Sequence, residues 1–118
     1  MSFLKRSTAK SESPERDFAA LSDQLRRAGA DLGVPHVTRH FVYVPGVKAA
    51  QLVARKVRTT GRGIDIETSA RRGFWLVVVS QSMLVNQENL AAIKGELESV
   101  AGPVGGEYDR WQVELAAG

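Results

Sequence analysis

Apolar positions recur along this chain with two different periods, and the changes of period mark its elements. Phe18, Leu21, Leu25 and Ala28 follow one face of a helix. Ser13, Pro14 and Glu15 supply an N-cap, a rigid first helical position and an acid for the first turn. Gly29 and Gly33 are the stop signals. Arg39 to Val44 is rich in aromatic and β-branched residues and ends at Pro45-Gly46, which predicts a strand. Ala50, Val53 and Val57, flanked by Ala49 and Leu52, then predict a helix over Val47 to Thr60, closed by Gly61 and Gly63.

Ile64 to Thr68 alternates as a half-buried strand does, and Phe74 to Ser80 is a near-continuous apolar run suited to a central strand. The polar stretch from Ser69 to Gly73 joins them as a hairpin turn. Asn86 caps a further helix with Leu90, Ile93, Leu97 and Val100 as its apolar stripe. Tyr108 to Leu115 closes the chain, with Trp111, Val113 and Leu115 on one face and Tyr108, Arg110, Gln112 and Glu114 on the other.

A helix followed by β-α-β-β-α-β predicts an α+β fold. It is a ferredoxin-like βαββαβ sandwich: a four-stranded antiparallel sheet with two helices on one face, plus the N-terminal helix. Residues 1–12 show no periodicity and are expected to be a flexible tail, with residues 13–118 forming a single domain. The uncovered sheet face is where such a scaffold would carry function, and Trp75 is expected to point toward it.

With 118 residues the chain can bury one core without disulfides, and it has no cysteine to make any. No apolar run approaches the roughly 18 residues that span a bilayer, and the basic N-terminal stretch lacks the apolar core of a secretory leader. A cytoplasmic location is expected. The net charge of +3 is unevenly distributed: residues 48–72 carry seven cations and two anions, whereas residues 86–118 carry two cations and six anions. Such polarity can steer a charged partner.

Catalytic constellations are hard to assemble. His36 and His40 fall beside Pro35 and on a predicted strand, so the helical pairing of metal-binding histidines does not apply. No phosphate-binding loop or nucleophile-elbow motif is present. Asp65 and Glu67 share a strand face, which is the usual solvent side of an amphipathic strand. No enzyme, metal or cofactor is expected. An RNA-recognition motif has the same element order, and Val42-Tyr43-Val44 and Arg72-Gly73-Phe74 begin its two signatures. Leu76 and Val79 then stand where aromatic rings would be needed for base stacking. Arg55, Lys56, Arg58, Arg62, Arg71 and Arg72 could still hold phosphate without reading sequence.

The closing stretch Gly105-Gly106-Glu107-Tyr108-Asp109-Arg110-Trp111 resembles the Gly-Gly-Glu-Tyr-Asp-Gly-Trp signature of the regulator of ribonuclease activity B family. Leu25 to Leu32, Arg39 to Pro45 and Trp75 to Val78 resemble that family's leading helix, first strand and central strand, in the same order. The resemblance implies a ferredoxin-like fold and a non-enzymatic protein that docks on ribonuclease E and lowers its activity. It also implies a structural or interface role for Gly106, Tyr108, Asp109 and Trp111. Arg110 departs from the signature's glycine, and only the C-terminal third of the chain is acidic, where the family's namesake is strongly so. The expected partner-binding surface comprises Trp75, Glu107, Tyr108, Asp109, Arg110, Gln112 and Glu114. The expected partner is a protein, a ribonuclease by resemblance, with RNA binding through the basic segment as the alternative. A homodimer through the sheet face would also be compatible with exposed Trp75 and Tyr108.

Overall fold

The computed structural model describes residues 3–6, 14–59 and 61–115. Helix α1 (Pro14–Arg27) ends at Gly29, whose φ of +86° suits a residue without Cβ. The proposed Ser13 cap lies outside the described residues, as do the side chains of Phe18 and Leu21. Strand β2 (His36–Pro45) leads through Gly46 into α2 (Val47–Val57). Strands β3 (Arg62–Thr68) and β4 (Phe74–Met83) form the hairpin. Asn86 caps α3 (Gln87–Ala101) by accepting from the Asn89 backbone N–H at 2.7 Å. A 3₁₀ turn at Gly102–Val104 leads to β5 (Glu107–Leu115).

One further strand precedes these. Residues Phe3–Arg6, expected within the tail, form β1 and pair antiparallel with β5 from Phe3↔Leu115 to Arg6↔Gln112. Four residues are too few for a periodic signal, and the edge of β5 supplies what the short segment lacks. Residues 7–12 of the expected tail lie outside the described residues. The sheet is therefore five-stranded, in the order β1-β5-β2-β4-β3, with every pairing antiparallel.

Register assigns each side chain to a face. Val42 pairs with Val77 and Val44 with Trp75, and these join a core with Ala50, Val53 and Val57 of α2 and Leu90, Ile93 and Leu97 of α3. Helix α2 lies over β4 and β3, α3 lies over β5, and α1 packs beside α3. Twelve of the core side chains among the described residues are valine, leucine or isoleucine, none more than 5% exposed, and burying each contributes roughly 1.5–3 kcal/mol. The odd-numbered positions of β2 and the even-numbered positions of β4 face the other way, onto a surface over which no helix lies among the described residues.

Two expectations about side-chain direction are overturned. Trp75 lies on the helix side, half-buried against the core, because its partner Val44 does. Strand β4 is apolar on both faces, so its sequence carries no phase, and only the pairing with β2 fixes it. Tyr108 is also on the helix side. The β2–β5 register shifts between Phe41↔Arg110 and Val42↔Tyr108, leaving Asp109 as an extra residue in β5. This bulge reverses the parity of the strand, so Tyr108 shares a face with Trp111 instead of Arg110.

Candidate functional site

The uncovered face of the sheet is built from β5, β2, β4 and β3. Strand β5 contributes Glu107, Arg110, Gln112 and Glu114, each opposite a β2 residue of the same face: Tyr43, Phe41, Arg39 and Val37. Strand β4 adds Phe74, Leu76 and Val78, and β3 adds Asp65 and Glu67, both exposed. An aromatic row of Phe41, Tyr43 and Phe74 thus lies among charged groups.

The arginines do not stand apart from those rings. The Arg110 guanidinium sits 4.1 Å from the Phe41 ring centroid and donates to Asp109 Oδ2 at 2.7 Å. The Arg71 guanidinium, in the β3–β4 turn, sits 4.1 Å from Phe74 and 5.4 Å from Tyr43, and pairs with Glu107. Arg39 pairs with Glu114 at 3.0 Å. Stacking on a ring and pairing with a carboxylate hold the Arg71 and Arg110 guanidiniums in place, and Arg39 is held by its ion pair alone. Each of these arginines is matched by an acid, and Asp65 and Glu67 add two carboxylates without a matching cation among the described residues, so the described side chains of this face lean negative.

The seven residues expected to bind a partner separate into two groups. Glu107, Arg110, Gln112 and Glu114 lie on the open face, and Asp109 joins them through its bond to Arg110. Gln112 is nonetheless buried there. Trp75 and Tyr108 are on the opposite face. Arg71 was expected only as a phosphate contact, and Phe41, Tyr43 and Arg39 were not anticipated there. Their signal was the alternation of β2 itself, which sets Arg39, Phe41 and Tyr43 on the side opposite Val42 and Val44.

The residues behind the family resemblance build the interior. Tyr108 donates its hydroxyl to His40 Nδ1 at 2.9 Å. His40 Nε2 lies 2.9 Å from Thr38 Oγ1, whose own proton goes to the Gln81 carbonyl at 2.9 Å. Thr38 therefore accepts from His40, the imidazole proton is on Nε2, and Nδ1 is the acceptor. Burial, with the positive charge of Arg62 as a lesser cause, lowers the His40 pKa to about 3. Gly106 brings β5 close to β2: a Cβ there would lie 2.7 Å from both the Tyr43 carbonyl oxygen and Val44 Cγ1. At Arg110, where the signature has glycine, φ is not positive, so the substitution brings no backbone strain.

The basic segment is likewise divided. Arg62 is partly buried, with its side chain 8% exposed, and donates to Glu96 through two nitrogens at 2.7 and 3.0 Å, to the Val57 carbonyl at 2.8 Å and to Gln81 Oε1 at 2.9 Å. These bonds depress the Glu96 pKa, against an opposing effect of burial. Arg71 is held on the open face as described. Arg55, Lys56 and Arg58 remain exposed on and just beyond α2, with no ion pair among the described residues. The six cations therefore do not form one phosphate-binding patch.

The family model described as regulator of ribonuclease activity B matches residues 18–113. No curated protein and no solved structure gives a significant match to the chain.

Proposed function

The chain belongs to the regulator of ribonuclease activity B family, and on that premise we propose that it is a non-enzymatic regulator that docks on a ribonuclease E-type enzyme in the cytoplasm and lowers its activity. The family match across nearly the whole domain carries this reading. The order β5-β2-β4-β3, with α2 and α3 over one face, supports a ferredoxin-like scaffold extended by β1. No helix among the described residues is long and apolar enough to cross a membrane.

The docking surface in this reading is the open sheet face around Tyr43, Phe74, Arg110, Glu107 and Glu114, with Phe41 buried beneath Arg110. Its rings and rigidly held arginines are the side-chain types that anchor protein interfaces. Its surplus of carboxylates suits a basic polypeptide segment and opposes a phosphate backbone. A cleavage assay tests the proposal. Adding the purified chain to a ribonuclease E-type enzyme should slow cleavage of an RNA substrate, and the chain alone should cleave nothing. Unchanged cleavage together with no detectable complex would overturn it.

A further inference from the structure

Strand β3 is the terminal strand of the sheet, and among the described residues nothing pairs its outer side. Its backbone N–H and C=O groups on that side are a template for another strand. Two of the usual protections are missing: Arg62–Thr68 contains no proline, and its register with β4 runs without a bulge from Arg62↔Gln81 to Thr68↔Trp75, so that only charged side chains guard the edge.

A groove of about 310 Å³ runs beside this edge, lined by Gln51, Ala54, Arg55, Arg58 and Ile66. Ala54 and Ile66 make it apolar, and Arg55 and Arg58 make it basic. Lys48, Gln51, Arg55 and Arg58 recur along one line of α2 and its C-terminal end. Neither Arg55 nor Arg58 has an acid within ion-pairing distance among the described residues. On the opposite side of the same edge stand Asp65 and Glu67.

We propose that this edge and groove capture an extended segment of a partner protein, which adds to β3 as a new strand and carries acidic side chains at alternate positions. Side chains of an added strand alternate between the two faces of the sheet. One set enters the groove, where acids meet Arg55 and Arg58 and β-branched residues meet Ile66. The other set lies beside Asp65 and Glu67, which favour polar or basic residues. A second copy of this chain is a poor occupant, because antiparallel β3–β3 pairing centred on Ile66 would set Asp65 of each copy against Glu67 of the other. A phosphodiester strand is a poor one too, since the same two carboxylates flank the edge. The proposal rests on the reading of the chain as a protein-binding regulator and adds a second contact distinct from the open face.

The test uses the full chain and a short fluorescein-labelled synthetic peptide. Glutamate and valine alternate at its odd positions, and threonine or lysine occupies its even ones. Fluorescence anisotropy should show binding, and a control with lysine for glutamate should bind far more weakly. The double variant Arg55→Glu, Arg58→Glu should weaken the acidic peptide about tenfold and tighten the lysine control. Amide exchange of Arg62–Thr68 should slow in the complex. Equal binding of both peptides, indifference to the double variant, or amide protection confined to the open face would overturn the proposal. So would displacement of the peptide by an oligouridylate that shows the same dependence on Arg55 and Arg58. If the peptide fails to bind while the chain still slows a ribonuclease, the groove is wrong and the regulator reading stands. If the peptide binds as described but no ribonuclease responds, the regulator reading is wrong and the groove stands.

Discussion

His40 and Tyr108, 68 residues apart in the chain, share a buried 2.9 Å hydrogen bond that ties β2 to β5 just beside the Asp109 bulge. Their rings tilt at 44° with centroids 6.1 Å apart. The bond explains why a histidine in the segment that resembles the family's first strand and a tyrosine in its closing signature belong together. The bulge turns Tyr108 inward, the hydroxyl then requires a buried acceptor, and a neutral imidazole provides it.

The first prediction concerns that bond. Tyr108→Phe removes the donor and leaves His40 Nδ1 buried without it, at a cost of about 1–3 kcal/mol. Urea denaturation should show a lower midpoint with an unchanged slope. Imidazole nitrogen shifts in the wild type should report the proton on Nε2. A proton on Nδ1 would contradict the assigned network.

Acid stability follows from the same site. The unfolded imidazole takes up a proton below about pH 6.5, whereas folded His40 does so only near pH 3. Between those values the unfolded chain binds more protons, so stability falls as pH is lowered, by up to about 1.4 kcal/mol per pH unit. The contribution is fully present above pH 6.5. Glu96, with its depressed folded pKa, adds a loss of the same sign below the ordinary carboxylate range. Urea midpoints measured from pH 7 to pH 4 should decline in the wild type and decline less in His40→Gln. A His40 titration near pH 6.5 in the folded protein would contradict this.

Gly106 gives the third prediction. Its Cβ would meet backbone at 2.7 Å and Ala101 Cβ at 3.1 Å, and neither neighbour is the far end of a flexible side chain. Gly106→Ala should destabilise the fold by about 1–3 kcal/mol, seen as a lower thermal midpoint. A midpoint equal to that of the wild type would show that β2 and β5 separate freely there.

Much of this architecture is legible in the residues. The stripe Leu90, Ile93, Leu97 and the Asn86 cap define α3, and the alternation of Ile64 and Ile66 gives the phase of β3. The faces of β4 and β5 are less legible, for different reasons. In β4 both parities are apolar, so Trp75 and Phe74 cannot be distinguished without a partner strand. In β5 a single inserted residue changes the phase. The trace it leaves is the spacing of Tyr108, Trp111 and Val113, three then two, which breaks the period of a continuous strand. The short β1 has no signal of its own. Arg39 and Arg71 lie in different segments and meet their acids only across the sheet.

The most direct test compares two substitutions in one ribonuclease assay, because Tyr108 and Arg110 are near neighbours in sequence that face opposite sides of the sheet. Titrating a ribonuclease E-type enzyme with wild type, Tyr108→Phe and Arg110→Glu, each first shown to be folded, gives three inhibition curves. Regulation through the open face predicts that Tyr108→Phe inhibits as the wild type does and that Arg110→Glu requires about tenfold more protein. Loss of inhibition in Tyr108→Phe with full inhibition by Arg110→Glu would contradict it and move the docking surface to the helix side.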